Sequence, residues 1–172
     1  VGAGAVILYL GSANGLPLNP SRTLRSITPV ANALFGFSIA GGNITGDSKS
    51  DIVIGAPGES YSTTVSGIPN IATVTAGKVY AFRGEDLASG FSSAFASVFL
   101  NGTNFFSNGV TGLLLSNVSV NALFGFSVAV TGDMNNDGLG EIVVGAPGYA
   151  GVQLLDVRSG AAFVYYSSNI GT

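Results

Sequence analysis

The chain contains no cysteine, no histidine and no tryptophan, and only 9% of its 172 residues are charged. Without cysteine it can hold neither a disulfide framework nor a thiolate metal site, so its redox compartment is not written in its sequence. Without histidine it lacks the usual general base and every Ser-His, Cys-His or His-metal arrangement. A carboxylate-pair hydrolase is still allowed by composition. However, most of the nine Asp and Glu residues fall in the loops described below, with no second cluster to form an acid/base pair, and the chain is read as non-enzymatic. Six Lys and Arg and a net charge of -3 offer no basic stripe for phosphates, which argues against nucleic acid or acidic lipid as a partner. A typical soluble domain is about 25% charged, so solubility here must rest on neutral polar groups or on groups added after synthesis. The longest apolar runs, such as AVILYL and IVVGAP, fall far short of the roughly 20 residues that span a bilayer. The chain opens on Val1-Gly2-Ala3, with neither an initiator Met nor a signal segment, and is expected to be a processed or excised piece.

What is present is a repeat. The block NALFGFSIAGGNITGDSKSDIVIGAPG, residues 32–58, returns as NALFGFSVAVTGDMNNDGLGEIVVGAPG, residues 121–148. A unit recurring every roughly 85 to 90 residues marks an architecture in which each repeat leaves a face that only a neighbour can cover. Apolar residues make up 47% of the chain, ample for a core. Short β-branched and aromatic runs bounded by Gly, Pro, Asn and Ser read as strands, and no stretch sustains a helical period, so the chain is predicted to be all-β. Three related strands recur: GAVILYL (4–10), GKVYAFRG (77–84) and GAAFVYYS (160–167). Their near-continuous apolar character predicts burial on both faces.

Phe-Gly-x-Ser, an Asp/Asn-rich loop and then Gly-Ala-Pro resemble the FG-GAP repeat of integrin alpha-subunit heads and of many secreted bacterial proteins. GAVILYLGSANGL (4–16) is similar to the strand and turn between FG-GAP loops. The resemblance implies β-propeller-type blades of four antiparallel strands. On that order, 35–41 and 51–57 are the first strand pair, GKVYAFR the third strand and a stretch near FASVFLNG (95–102) the fourth. A third-type strand (4–10) and a fourth near 22–28 precede this blade. First, second and third strands (124–130, 141–147, 160–167) follow it. The whole is about two blades cut out of phase, divided by repeat into a first unit, 1–84, and a second, 85–172.

In the loop 133–141, oxygen side chains stand at loop positions one (Asp133), three (Asn135), five (Asp137) and nine (Glu141). Gly138 permits a sharp turn, and Leu139 can offer its carbonyl. Calcium takes six to eight hard oxygen ligands in a flexible cage, which this spacing can supply. The loop resembles the calcium loops of integrin FG-GAP repeats, with Glu141 where Asp is usual. The same residues are also compatible with a metal-free Asn/Asp/Gly turn. The first repeat's loop keeps Asn43, Thr45, Asp47 and Asp51, with two carboxylates, Ser48 for the turn glycine and Lys49 placed to pair with Asp47. It is expected to bind calcium weakly or not at all and to be held by hydrogen bonds. Asn43, Asn101 and Asn117 head glycosylation acceptor triplets, which a chain this rich in Asn, Ser and Thr also carries by chance. A glycan on Asn43 would remove its amide as a ligand. Phe35, Phe37, Phe124 and Phe126 are expected in the core and between blades. Gly55-Ala56-Pro57 and Gly145-Ala146-Pro147 are expected to end strands, through close backbone approach at Gly and a missing donor at Pro.

These readings converge on a non-catalytic, extracellular or cell-surface structural or adhesive glycoprotein of calcium-binding blades. Its expected partners are copies of itself, joined head-to-tail into a fibre or larger particle. Two blades cannot close a ring of about four to eight, and 22–28 of one copy could add a strand to the last blade of another. Residues from Phe35 onward are then expected to stay folded when 1–30 are deleted. The alternative is a two-blade fragment of an integrin-like propeller that binds an extracellular protein or glycan ligand.

Overall fold

The structure, a computed structural model, describes residues 2–26, 29–47, 49–61, 74–88, 98–100, 121–150 and 159–167. The N-terminal sheet pairs β1 (Val6–Leu8) antiparallel with β2 (Arg22–Leu24). The central blade comprises β3 (Ser38–Gly42) and β4 (Asp51–Ala56), and beyond the small ribbon β5 (Ser60–Tyr61) and β6 (Val74–Thr75), β7 (Lys78–Phe82) and β8 (Val98–Leu100). Its strand order is β3-β4-β7-β8, every pair antiparallel. One five-residue helix, α1 (Gly84–Ala88), lies between its third and fourth strands. The last blade orders β9 (Ser127–Val130), β10 (Ile142–Ala146) and β11 (Ala161–Tyr165) as β11-β10-β9. The chain is all-β, built of propeller-type blades cut out of phase, and the central blade runs on past residue 84 to β8.

The two repeats share a register because the same residues set it. Gly55 faces Ser38 across β3 and β4, and Gly145 faces Ser127 across β9 and β10. A Cβ on Gly55 would lie 2.0 Å from the Gly125 carbonyl oxygen of the next blade, so only glycine lets the blades come this close. Before each first strand, Asn32 and Leu34, and likewise Asn121 and Leu123, take left-handed backbone. For leucine that conformation is uncommon. Here tertiary contacts hold the turn: the Phe35 N–H donates to the Ala3 carbonyl and the Phe124 N–H to that of Ala76, at 2.9 and 2.8 Å.

The apolar cores lie between sheets. Leu24, Phe35, Ile54, Ala56, Tyr80, Phe82 and Leu87 fill the space between the N-terminal sheet and the central blade, with Val6 and Leu8 against them. Val53, Val79, Ala81, Phe124, Ile142, Val144 and Tyr165 fill the next space, between the central and last blades. Adjacent residues of β4, Val53 and Ile54, thus point into different cores, as the two-residue period of a strand requires.

Burial on both faces holds for β7, which is flanked by blades, and fails for the strands at either end. β1 and β11 each leave one face half exposed, because among the described residues no sheet stands beyond them. Phe35 and Phe124 are core residues, whereas Phe37 and Phe126 are 51% and 45% exposed. These two meet each other across the blade boundary, with ring centroids 4.9 Å apart, on the open side of the first strands. The segment beginning at Arg22 already pairs with β1, which engages one of its edges. Among the described residues no helix is long and apolar enough to cross a membrane.

Candidate metal centre

The loop between β9 and β10 brings Asp133, Asp137 and Glu141 together, with one carboxylate oxygen of each within 4.8 Å of the others. The backbone builds this arrangement. The Asp137 and Gly138 N–H groups donate to the two Asp133 oxygens at 3.0 and 2.7 Å, and the Leu139 N–H donates to Asp137 Oδ1 at 2.9 Å. Asn136 supplies the left-handed turn at φ 63° and Gly138 a second at φ 88°. Asn135 bridges inward, its amide nitrogen 2.9 Å from Asp137 Oδ2. Glu141, directly before β10, is fully buried, and its Oε2 accepts the Met134 N–H at 2.7 Å. Its Oε1 is buried with no hydrogen-bond partner among the described residues.

An ionised carboxylate oxygen buried without a partner is costly, and three carboxylates this close repel one another. Residues 121–148 contain no Lys or Arg to compensate them. A hard divalent cation supplies both the missing partner and the missing charge, so the residues present fit calcium.

The first loop shares two of these backbone hydrogen bonds and has a different electrostatic solution. The Ile44 N–H donates to Asp51 Oδ2 at 2.8 Å, as the Met134 N–H does to Glu141. The Lys49 N–H donates to Asp47 Oδ1 as the Leu139 N–H does to Asp137, whereas Asn43 Oδ1 accepts from Gly46, three residues on, and Asp133 accepts from the residues four and five on. Asp51, however, uses both oxygens internally: Thr45 donates to it from backbone and hydroxyl, and the Gly84 N–H donates to Oδ1 at 2.8 Å. Hydrogen bonds thus satisfy the carboxylate at position nine. Lys49 meets Asp47 through its backbone N–H. Asp47 Oδ2 remains buried without a partner among the described residues. The loops also touch, the Gly140 N–H donating to the Asn43 carbonyl at 2.8 Å. Asn43 is exposed; Asn101 and Asn117 lie outside the described residues.

One buried charge escaped the sequence reading. Glu59, directly after Gly-Ala-Pro-Gly, is fully buried and accepts from Tyr80 Oη at 2.6 Å, Lys78 Nζ at 2.9 Å and Ser26 Oγ at 3.0 Å. It joins the N-terminal segment to the central blade. The second repeat has Tyr149, Ala161 and Phe163 at the places of Glu59, Lys78 and Tyr80, and there Tyr149 packs edge-on against Phe163. The signal was this three-fold change between repeats. Burial alone raises the phenol pKa of Tyr165, in the core of the last blade.

A family model described as the FG-GAP repeat matches residues 35–82 and 124–165, more than half of the chain. Among curated proteins, integrin alpha-8 of Gallus gallus is 31% identical over 112 residues, covering 65% of this chain and 7% of its own length. Integrin alpha-7 of Homo sapiens is 29% identical over 137 residues, covering 80% and 9%. Integrin alpha-V of Gallus gallus is 26% identical over 165 residues, covering 78% and 15%. The chain therefore spans between 7% and 15% of the length of these relatives.

Proposed function

The chain belongs to the FG-GAP repeat family, and from that premise we propose that it is a non-catalytic, extracellular structural or adhesive element of calcium-braced blades. The observation that carries this reading is the Asp133, Asp137 and Glu141 cluster with its unpartnered, buried Glu141 Oε1. Asp133, Asn135, Asp137, Glu141 and the Leu139 carbonyl would hold the ion, and Asn43, Thr45, Asp47 and Asp51 would bind it more weakly or remain empty. Calcium there would tie the end of β9 to the start of β10 and stiffen the hairpin that faces the central blade. The blades would stack on further blades supplied by copies of the chain, and any glycan on Asn43, Asn101 or Asn117 would add to a surface poor in charge.

Calorimetric titration tests the calcium reading. The wild-type chain should bind one ion, and Asp133→Ala with Asp137→Ala should abolish binding; unchanged binding by the double variant would move the site elsewhere. A second reading is favoured by the integrin relatives: the chain would be part of a longer propeller that displays its loops to an extracellular protein or glycan. A native polypeptide much longer than 17.2 kDa would favour it.

A further inference from the structure

We propose that Ser167, just beyond β11, is a positioning residue that sets the cation dependence of the second loop: its side chain holds the end of the third strand away from Glu141 and so leaves Glu141 Oε1 to a metal. The inference rests on the calcium reading above and places its control outside residues 133–141.

The two repeats finish their third strands at equivalent places. Gly84 follows β7 and Ser167 follows β11 at the same spacing, and both are buried. At Gly84 the backbone itself enters the loop. Its N–H donates to Asp51 Oδ1 at 2.8 Å, so the third strand completes the position-nine carboxylate of the first loop. A side chain is excluded there, because a Cβ on Gly84 would lie 2.3 Å from the Ser50 carbonyl oxygen and 2.7 Å from the Lys49 side chain. Glycine is what lets the strand end come this near.

Ser167 carries the Cβ that Gly84 lacks. The counterpart of the Ser50 carbonyl is the Gly140 carbonyl, and the Ser167 hydroxyl donates to it. A side chain thus stands between strand end and loop, where the first repeat has only backbone. The Gly140 peptide is held on its other side as well, its N–H donating to the Asn43 carbonyl at 2.8 Å. Glu141 therefore leaves from a fixed point, with Oε2 taken by the Met134 N–H and Oε1 buried without a partner among the described residues. Glu141 is one methylene longer than Asp51, so its reach is not what keeps it from the strand. The loops differ at position three too: the Thr45 hydroxyl donates to both Asp51 oxygens, whereas the Asn135 amide turns to Asp137. That difference belongs to the loop itself. The difference between Gly84 and Ser167 belongs to the strand, and it alone decides whether a backbone N–H can meet the carboxylate from that side.

Calorimetric titration with calcium, paired with thermal melts of the calcium-free protein, tests this on the full chain. Ser167→Gly lets the residue 167 N–H approach Glu141 and should weaken calcium binding about 10- to 100-fold, as changes to the groups that hold a metal ligand commonly do. Without calcium it should melt no lower than Ser167→Ala. Ser167→Ala keeps the Cβ, and with it an affinity close to wild type, but should melt lower than wild type without calcium because the Gly140 carbonyl loses its donor. Ser167→Thr, which keeps both Cβ and hydroxyl, should match wild type in both measurements. A serine needed only for its hydrogen bond or its packing would make the glycine and alanine variants lose affinity together, or leave both unchanged. Either result overturns the proposal and leaves the calcium site standing, as does a Ser167→Gly chain that fails to fold, since the bare backbone would then have no place beside the loop. A wild-type chain that binds no calcium overturns both.

Discussion

At the scale of single residues, small differences between the repeats separate what each position does. Gly55 and Gly145 occupy equivalent places. A Cβ on Gly55 would meet backbone of the neighbouring blade at 2.0 Å, whereas one on Gly145 would meet only the movable Ser127 hydroxyl at 2.3 Å. Gly55→Ala should therefore cost about 1–3 kcal/mol, in the range of overpacked cores, and Gly145→Ala clearly less, as read by urea unfolding. Glu59 offers a second comparison. Glu59→Ala leaves Lys78, Tyr80 and Ser26 without their shared acceptor and should cost about 3–5 kcal/mol, as for other broken buried pairs. Adding Lys78→Ala and Tyr80→Phe, the residues of the second repeat, should recover much of the loss. A triple variant no more stable than Glu59→Ala would show that the stability lies in packing around Glu59 and not in its charge. For Tyr165 the sign follows from burial, which raises its folded pKa above the unfolded value of about 10. Its contribution is fully present below that pH and is lost as pH rises through the folded pKa. Above about pH 10 the slope should reach at most about 1.4 kcal/mol per pH unit. Tyr165→Phe should flatten the alkaline limb of the stability profile.

At the scale of elements, two loops at equivalent places in the repeat reach different electrostatic solutions. Asp51 is satisfied by N–H and hydroxyl donors from its own blade; Glu141 retains an oxygen without a partner among the described residues. Because the Gly140 N–H donates to the Asn43 carbonyl, order imposed on the second loop should pass to the first. Calcium should slow amide exchange at Gly140 and Glu141, and more modestly at Ile44 to Gly46. Protection confined to the second loop would mean that this hydrogen bond carries no coupling. Calcium at about a hundred times its Kd should also add about 2.7 kcal/mol of stability. Chelation should remove that increment.

At the scale of the whole molecule, the sheets depend on one another. The sequence alone predicts that the central blade, from Phe35 onward, stays largely folded when residues 1–30 are deleted. The structure argues otherwise: Leu24, Val6 and Leu8 cover Phe35, Tyr80 and Phe82, and Ser26 donates to Glu59. Removing them uncovers one whole face of the blade. The truncated chain should melt well below the full chain and bind a hydrophobic dye such as ANS, both readable in a single thermal scan. An unchanged melting temperature would show that the central blade is an autonomous unit.

The sequence by itself determined the period, the strands and the carboxylates of the second loop, because these are local. Strand type follows from β-branched runs, turn shape from Asn and Gly, and the calcium-like spacing from alternate oxygens in nine consecutive residues. The tertiary structure alone decided which faces those strands bury. Phe35 and Phe37 are two residues apart and identical in type, yet only Phe35 has a sheet on either side of it. The run GAVILYL resembles GKVYAFR as a string, but Ile7 is exposed and Tyr80 buried, because among the described residues a sheet covers that face of one strand and not of the other. Glu59 was hidden for the same reason. Its partners lie 19, 21 and 33 residues away in sequence, and only the stacking of sheets brings a serine, a lysine and a tyrosine to one carboxylate oxygen.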